Sequence, residues 1–184
     1  NAGHIFGETA ELPGDMRGFT VRQADIAPGL YRAVTGSEAL AWGLAAGTKL
    51  ADLRLVLASY PITPASNLLH ILAGMKQFDV VTFQAEDEIA AVCAAIGASF
   101  AGSLGLTTSS GPGVALKGEA IGLAIGAELP LIVVNVQRAG PSTGMPTKTE
   151  QSDLFQAVYG RNADAPLVVL AASSPANCFE IGIE

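Results

Sequence analysis

The sequence predicts an α/β domain in which a parallel sheet is covered by helices on both faces. Short runs of Val, Ile and Leu alternate along the chain with longer segments of helical spacing. These runs are continuously apolar, which is typical of parallel strands that are buried on both sides. Hydrophobic residues make up 49% of the 184 residues, which is enough to build one full core.

The regular pattern begins after Pro28 and Gly29. A helix is predicted over residues 37–49, with Thr35 or Ser37 at its start, because these side chains accept hydrogen bonds from the free N–H groups of a first turn. Strands and helices then alternate. The predicted strands are residues 53–58, 80–83, 104–108, 131–136 and 167–171. The predicted helices between them are residues 65–76, 86–101, 113–126 and 149–158.

The two ends of the sequence lack this pattern. Residues 3–28 are rich in Gly, Pro and charge without periodicity, which predicts a loosely packed linker. Asn1 and Ala2, with no initiator methionine, are typical of the remnant of an expression tag, and the sequence stops where a helix begins. We therefore expect a tag remnant and linker over residues 1–28, and over residues 29–184 a domain that is truncated at its C-terminus.

Composition excludes several classes of function. A net charge of −7 and a pI near 4.7 argue against a surface for nucleic acid or anionic membranes, since both need basic patches. The two cysteines, Cys93 and Cys178, are far apart, and His4 and His70 have no third partner, so no metal site is expected in this chain. No apolar run is long enough for a membrane span or a signal peptide, so a cytoplasmic location is expected.

Three acidic residues, Glu86, Asp87 and Glu88, precede a helix that is otherwise almost wholly apolar. A glutamate that is kept partly out of water can hold a proton near neutral pH and hydrogen-bond a heterocyclic nitrogen. Thiamine diphosphate enzymes need such an acid to promote the imino tautomer of the aminopyrimidine ring. The alternative is that these acids only complement the positive end of the helix dipole, and the segment alone does not decide between the two.

Two further loops follow predicted strands. The Gly-Pro-Gly loop of residues 111–113 precedes a helix, a geometry that can bind anions, but it is also consistent with a simple tight turn. Its spacing fits neither a dinucleotide fingerprint, which would need glycine in place of Leu116, nor a P-loop. The segment from Tyr60 to Pro64 contains two prolines that fix a short loop and hold a hydroxyl, or that merely precede the next helix.

Arg138 directly follows the apolar run of residues 131–136, where an unpaired guanidinium would be costly. It therefore needs an anionic partner or exposure to water. A fixed arginine at the end of a strand suits bidentate binding of a carboxylate, and a structural salt bridge is the alternative. The loop that follows, through Thr149, is long and rich in Gly, Pro, Ser and Thr, which favours a segment that covers a substrate.

The helix that begins near Glu88 is rich in small residues, which favours close approach of another helix across a subunit interface. These residues are Ala90, Ala91, Ala94, Ala95, Gly97, Ala98, Ala101 and Gly102.

Together these motifs resemble the alpha subunit of 2-oxoacid:ferredoxin oxidoreductases, over about residues 30–183. The strings that carry the resemblance are residues 60–66 (YPITPAS), 86–91 (EDEIAA), 96–99 (IGAS), 108–113 (TSSGPG), 137–144 (QRAGPSTG) and 146–154 (PTKTEQSDL). The loop over 140–144 is closer to 2-oxoglutarate-type than to pyruvate-type members. The resemblance implies a thiamine-pyrimidine-binding domain of an enzyme that converts a 2-oxoacid and coenzyme A into acyl-CoA, CO2 and reduced ferredoxin.

The resemblance also implies roles for particular residues. In the family the activating glutamate precedes by nine residues the glycine that matches Gly97, which points to Glu88 and not to Glu86. The residues implied for the 2-oxoacid are Thr63, Arg138 and Tyr60, and those implied for the cofactor are Glu88, Glu86, Ser110 and Gly111.

Other parts of such an enzyme are not encoded in this sequence. There is no Gly-Asp-Gly…Asn pattern for a magnesium diphosphate and no cysteine set for an iron–sulfur cluster. The resemblance places Mg²⁺ and the cluster on a beta subunit, which would share the thiamine diphosphate, and ferredoxin and coenzyme A would act through the complex. A homodimer is expected, and the isolated chain should be inactive. The competing hypotheses are a non-catalytic assembly module and a flavodoxin-like or nucleotide-binding domain.

Overall fold

The computed structural model describes residues 1–10 and 20–184, which form two units with separate internal contacts, residues 1–32 and 33–184. In the first unit Ala2–Thr9 forms helix α1, and all its residues are exposed. This helix was not predicted within the expected loosely packed linker, which stays a prediction and part of which, residues 11–19, lies outside the described residues. The helix depends on local contacts, since His4 Nε2 lies 3.1 Å from Glu8 Oε1 and the Thr9 hydroxyl donates to the Ile5 carbonyl.

The second unit is built on a four-stranded sheet in which every pair of neighbouring strands is parallel, in the order β2-β1-β3-β4. The strands are β1 (Leu55–Ser59), β2 (Val80–Gln84), β3 (Leu104–Ser109) and β4 (Leu131–Asn135). The two central strands, β1 and β3, carry the most continuous burial. The predicted class of fold is confirmed.

Helices connect the strands. They are α2 (Gly36–Leu50), α3 (Ser66–Ala73), α4 (Glu88–Phe100), α5 (Gly111–Leu116), α6 (Gly118–Gly126), α7 (Leu154–Tyr159) and α8 (Asn177–Ile183), with a 3₁₀ turn at Lys76–Phe78. Thr35 caps α2 by accepting a hydrogen bond from the Glu38 amide. The helix predicted over residues 113–126 is two helices that meet at Lys117, and the one predicted over 149–158 is shorter because its first residues stay irregular.

Both faces of the sheet are covered. On one face Leu57 and Leu106 pack with Leu44 of α2 and Leu72 of α3, all fully or almost fully buried. On the other face α4 lies so close to β3 that a Cβ on Gly105 would come within 2.1 Å of the Ala95 carbonyl oxygen. A separate cluster joins α4 to α6. Packing on both faces therefore fixes where the loops at the edge of the sheet begin.

Residues 167–171 do not form the predicted fifth strand. The segment has the apolar composition of a strand, but pairing also needs a neighbouring strand within hydrogen-bond distance. A cavity of about 370 Å³, lined by Leu131 and Val133 of β4 and by residues 167–172, separates it from the sheet. Val168 is accordingly 86% exposed.

Within the described residues, no helix combines the length and the apolar character needed to cross a membrane.

Candidate active site

The residues that follow the four strands meet at one edge of the sheet. The parallel register pairs the last residues of neighbouring strands, Ser59 with Gln84 and Ser109 with Asn135. Tyr60, the start of α4, Ser110 and the loop through Arg138 therefore leave the sheet on the same side. This is the side on which the sequence placed its candidate site.

The three acids at the start of α4 have three different environments. Asp87 is the N-cap, and its carboxylate accepts hydrogen bonds from the amides of Ile89 and Ala90 at 2.8 and 2.9 Å. Glu86 is exposed, whereas Glu88 is half-buried and lines a cleft. The capping explanation therefore accounts for Asp87 and leaves the Glu88 carboxylate for another role.

The cleft has a volume of about 790 Å³, within the usual range for small-molecule sites. Its walls include Ile62 after β1, Glu88, Gly111 and Pro112 of α5, and Arg138. Three of the predicted site residues, Glu88, Gly111 and Arg138, thus share one cavity. The other predicted site residues, Tyr60, Thr63, Ser110 and Glu86, lie outside its lining.

Tyr60 lies behind the Glu88 side chain, buried, with its hydroxyl hydrogen-bonded to Ser109 Oγ at 3.0 Å. Burial raises the pKa of the Tyr60 phenol, the Ser109 hydrogen bond opposes that rise, and the nearby Glu88 charge adds to it. The phenol therefore stays protonated and can donate a hydrogen bond. Glycine at position 113 leaves room for the Tyr60 and Ser109 hydroxyls, because a Cβ there would lie 2.3 Å from the Tyr60 hydroxyl and 2.0 Å from Ser109 Oγ.

Arg138 is only 8% exposed. Its Nη1 donates a hydrogen bond to the main-chain oxygen of Thr63 at 2.8 Å, and its Nε is buried with no hydrogen-bond partner among the described residues. No ion pair joins it to an acid in the part of the chain that the structure describes, so the salt-bridge alternative lacks a partner there. A buried guanidinium with an unused N–H suits an anion in the cleft.

Lys117, which the sequence reading passed over, is completely buried at the junction of α5 and α6. Its Nζ donates to the Glu88 main-chain oxygen and to Thr107 Oγ1, both at 3.0 Å. Burial lowers the pKa of Lys117 to about 8, although the charges of Glu88, Asp87 and Cys93 favour its protonated form. The sequence did hold a signal: Lys117 shares helical spacing with the buried Val114 and Ile121.

Asp153 is a second residue to which sequence reasoning gave no role. Its carboxylate accepts a hydrogen bond from Asn135 Nδ2 at 3.0 Å, and its amide donates to Gln137 Oε1 at 3.0 Å. A Cβ on Gly111 would come within 2.8 Å of Asp153 Oδ2. Asp153 therefore ties the start of α7 to the end of β4 and the loop that follows, and glycine at position 111 leaves room for its carboxylate.

The cleft fits the aminopyrimidine of thiamine that the resemblance implies. It offers the Glu88 carboxylate together with the apolar surfaces of Ile62 and Pro112. Arg138, which lines the cleft, has a buried Nε with no partner among the described residues, so a bound group would satisfy it. Ser110 Oγ also lacks a partner there but lies outside the cleft lining. In the described parts of the chain, no group of three or more His, Cys, Asp or Glu residues is placed to hold a metal ion.

Comparisons with known proteins identify a thiamine diphosphate-binding family. The family described as pyruvate flavodoxin/ferredoxin oxidoreductase, thiamine diP-bdg (thiamine diphosphate-binding) matches residues 47–184. The chain is 56% identical over 183 residues to the 2-oxoglutarate oxidoreductase subunit KorA of Mycobacterium tuberculosis, covering 100% of this chain and 28% of the relative. It is 47% identical over 128 residues to the 2-oxoglutarate synthase subunit KorA of Archaeoglobus fulgidus, covering 69% and 37%.

A solved structure is similar as well. The 2-oxoglutarate:ferredoxin oxidoreductase of Magnetococcus marinus, with 2-oxoglutarate, coenzyme A and succinyl-CoA bound, superposes with a TM-score of 0.73 and 41% identity. The match covers 81% of this chain and 25% of that one. The chain thus spans 28% and 37% of the lengths of the two curated relatives.

Proposed function

Because the chain belongs to the pyruvate flavodoxin/ferredoxin oxidoreductase family, with its thiamine diphosphate-binding region at residues 47–184, we propose that it is the pyrimidine-binding part of a 2-oxoacid:ferredoxin oxidoreductase alpha subunit. The complete enzyme oxidatively decarboxylates a 2-oxoacid, 2-oxoglutarate in this proposal, with coenzyme A to acyl-CoA, CO2 and reduced ferredoxin. The names of the similar proteins from Mycobacterium tuberculosis and Magnetococcus marinus support 2-oxoglutarate as the substrate. Bound thiamine diphosphate supplies the carbanion chemistry of decarboxylation.

One observation carries the proposal: Glu88 is the acid of the α4 start that faces the cleft, while Asp87 is used as the cap. With the cofactor bound, this carboxyl group would hydrogen-bond the ring nitrogen of the aminopyrimidine and supply the acid/base function there. Glu86, which is exposed, contributes to the cofactor site only through its charge. Tyr60 keeps a neutral hydroxyl behind Glu88, so no second anion competes at that position.

Arg138 and Thr63 bind the carboxylate of the 2-oxoacid. Arg138 brings a guanidinium that already holds the Thr63 main chain and has an unused Nε, so substrate binding requires little reordering. Tyr60 is the third residue proposed for the substrate, although it is buried behind Glu88 and lies outside the cleft lining. Gly111, at the start of α5, forms the cofactor side of the cleft. Ser110 precedes it outside the lining and brings a buried hydroxyl with no partner among the described residues.

The proposal assigns the remaining parts to partners. A beta subunit supplies Mg²⁺, the diphosphate site and the iron–sulfur cluster, and ferredoxin and coenzyme A act through the complex. The exposed side of α4 mediates a homodimer. Residues 29–184 form the pyrimidine-binding domain and residues 1–28 a tag remnant and linker, so the chain by itself does not turn over substrate.

Substitution of Glu88 by Gln in the assembled oxidoreductase tests the proposal. Loss of a general acid/base should lower kcat about 10²–10⁴-fold. Glu86→Gln, two residues earlier and exposed, is the matched control and should keep most activity. If this part were only an assembly module, both variants would turn over 2-oxoglutarate at nearly the wild-type rate. If only Glu86→Gln lost activity, the two acids would exchange roles.

A further inference from the structure

A buried ammonium lies directly behind the proposed acid. Lys117 has no exposed surface, and its Nζ makes two hydrogen bonds, to the Glu88 main-chain oxygen and to Thr107 Oγ1 of β3, each at 3.0 Å. The amine is also placed over the Tyr60 ring, 5.2 Å from its centroid. One side chain thus contacts the start of α4, the sheet and the residue after β1.

A buried charge destabilises the folded state unless it is paired or hydrogen-bonded. No ion pair with a carboxylate accounts for Lys117 among the residues that the structure describes. Instead, its contacts converge on the main chain of Glu88, the proposed acid, and on the ring of Tyr60 behind it. Thr107, its third contact, belongs to the central strand β3 and supplies a rigid anchor.

We propose that Lys117 is the positioning residue of this site, which holds the Glu88 main chain and the Tyr60 ring so that the Glu88 carboxylate faces the cofactor cleft. The inference rests on the proposed function of Glu88 and deepens it. Glu88 is the first residue of α4, where a helix is least constrained by its own hydrogen bonds. A bond from a buried residue at the junction of α5 and α6 restricts that first turn. Small displacements of a catalytic group can lower the rate strongly.

The groups that face Lys117 are Glu88, Asp87 and Cys93 from α4 and Tyr60 from the loop after β1. The anionic groups among them favour the charged ammonium, while burial lowers its pKa to about 8. The proton on Lys117 is therefore lost near the upper end of the physiological range. A neutral amine still donates both hydrogen bonds, but more weakly than the ammonium does, so thiamine diphosphate affinity should fall as this proton is lost.

The test uses the assembled oxidoreductase, stripped of cofactor, and titrates it with thiamine diphosphate in a calorimeter at about pH 7 and about pH 9. Lys117→Met keeps the length and apolar stem of the side chain but removes the charge and both hydrogen bonds. We expect it to bind thiamine diphosphate about tenfold more weakly at the lower pH, and to lose the pH dependence of affinity that the wild type shows. At saturating cofactor, kcat should fall about tenfold or more with an unchanged KM for coenzyme A.

Ser99→Ala is the matched structural control. Ser99 is buried in α4 and links Pro130 to Gly105, outside the cleft lining. Its loss should lower the melting temperature and leave cofactor affinity unchanged. If Lys117→Met behaved like Ser99→Ala, lowering stability without changing affinity or its pH dependence, Lys117 would have no positioning role.

A double-mutant cycle with Glu88→Gln separates this inference from the proposed function. If Lys117 acts through Glu88, Lys117→Met should lower kcat less than about threefold in the Glu88→Gln background. Multiplicative losses would overturn the inference while leaving Glu88 as the acid. Full activity of Glu88→Gln would instead overturn the proposed function. If Lys117→Met does not assemble, Thr107→Val is the second variant, because it keeps Lys117 and removes one of its two hydrogen bonds. It should weaken cofactor binding about threefold, and unchanged affinity would overturn the inference.

Discussion

The guanidinium of Arg138 donates a hydrogen bond to the main-chain oxygen of Thr63, at 2.8 Å, across 75 residues of sequence. The bond joins the loop after β4 to the loop after β1, two strands that are separated in the sheet by β3. The family resemblance assigned both residues to the substrate carboxylate, and the fold brings them into direct contact. The contact leaves Arg138 Nε free.

Arg138→Lys should raise the KM for 2-oxoglutarate about tenfold or more, a loss of about 1.4 kcal/mol, while the KM for coenzyme A hardly changes. A lysine keeps the charge but loses the planar fork, so it cannot bind a carboxylate through two parallel hydrogen bonds. Steady-state kinetics of the assembled enzyme with each substrate varied in turn checks this.

Arg161→Lys is a suitable control for that measurement. Arg161 also binds main-chain oxygens, those of Ala157, Val158 and Ala165, but it does not line the cleft. Its substitution should affect stability alone. An unchanged KM for 2-oxoglutarate in Arg138→Lys, with an intact fold by circular dichroism, would reduce Arg138 to a structural residue.

Gly113→Ala should impair the site without preventing the helix from forming. The new methyl group would lie 2.0 Å from Ser109 Oγ and 2.3 Å from the Tyr60 hydroxyl, so both side chains must move. Overpacking of this kind costs about 1–3 kcal/mol, and here it displaces the group behind Glu88. Gly122→Ala, in α6 with nothing within 4 Å of the added Cβ, is the control. Chemical unfolding and kcat, measured on both variants, should separate them, and equal behaviour would contradict the proposed geometry.

Much of the fold could be predicted from the sequence because apolar runs and helical spacing report directly on burial. Four of the five predicted strands are present within a few residues of their expected bounds, and the match to the family confirms the resemblance. The exceptions depended on tertiary context. Residues 167–171 have strand composition but no paired neighbour, and α1 is held by local contacts in a segment whose glycines suggested irregular structure.

The site could be predicted only in part. Glu88 and Arg138 could be predicted as site residues from their positions after strands and from the family motifs. Both line the cleft. Lys117 could not be predicted, because a lysine in a helix is ordinarily solvated, and its burial follows from how α5 and α6 meet the sheet. Ala91 and Ala95, expected at a subunit interface, are buried within the unit, where Ala95 contacts β3.

The stability of the protein should depend on Lys117 above neutral pH. The pKa of Lys117 is lowered to about 8 from an ordinary value of 10.5, so between these limits the unfolded chain binds more protons than the folded one. Stability contributed by this group therefore rises with pH in that window, and below about pH 8 the buried charge exerts its full cost. Urea unfolding of the wild type and Lys117→Met should be measured at about pH 7 and about pH 9.5. The free energy of unfolding of the wild type, relative to that of the variant, should be higher at the higher pH. A constant difference would mean that the folded and unfolded states bind this proton equally.

Gly97→Leu, finally, should weaken self-association without weakening the fold. Gly97 lies on the exposed side of α4 with nothing within 4 Å of an added Cβ, between Cys93 and Phe100, which is 82% exposed. Within one chain a leucine there meets open space and replaces a poor helix former, so the melting temperature should hold or rise. Across a close helix pair it would separate the backbones and cost about 1.4 kcal/mol or more, a tenfold weaker dimer. Gly126→Leu at the end of α6, also with open space around the added Cβ, is the matched control. Sedimentation velocity at micromolar concentration should show dissociation for Gly97→Leu alone, and an unaffected dimer would move the proposed interface away from α4.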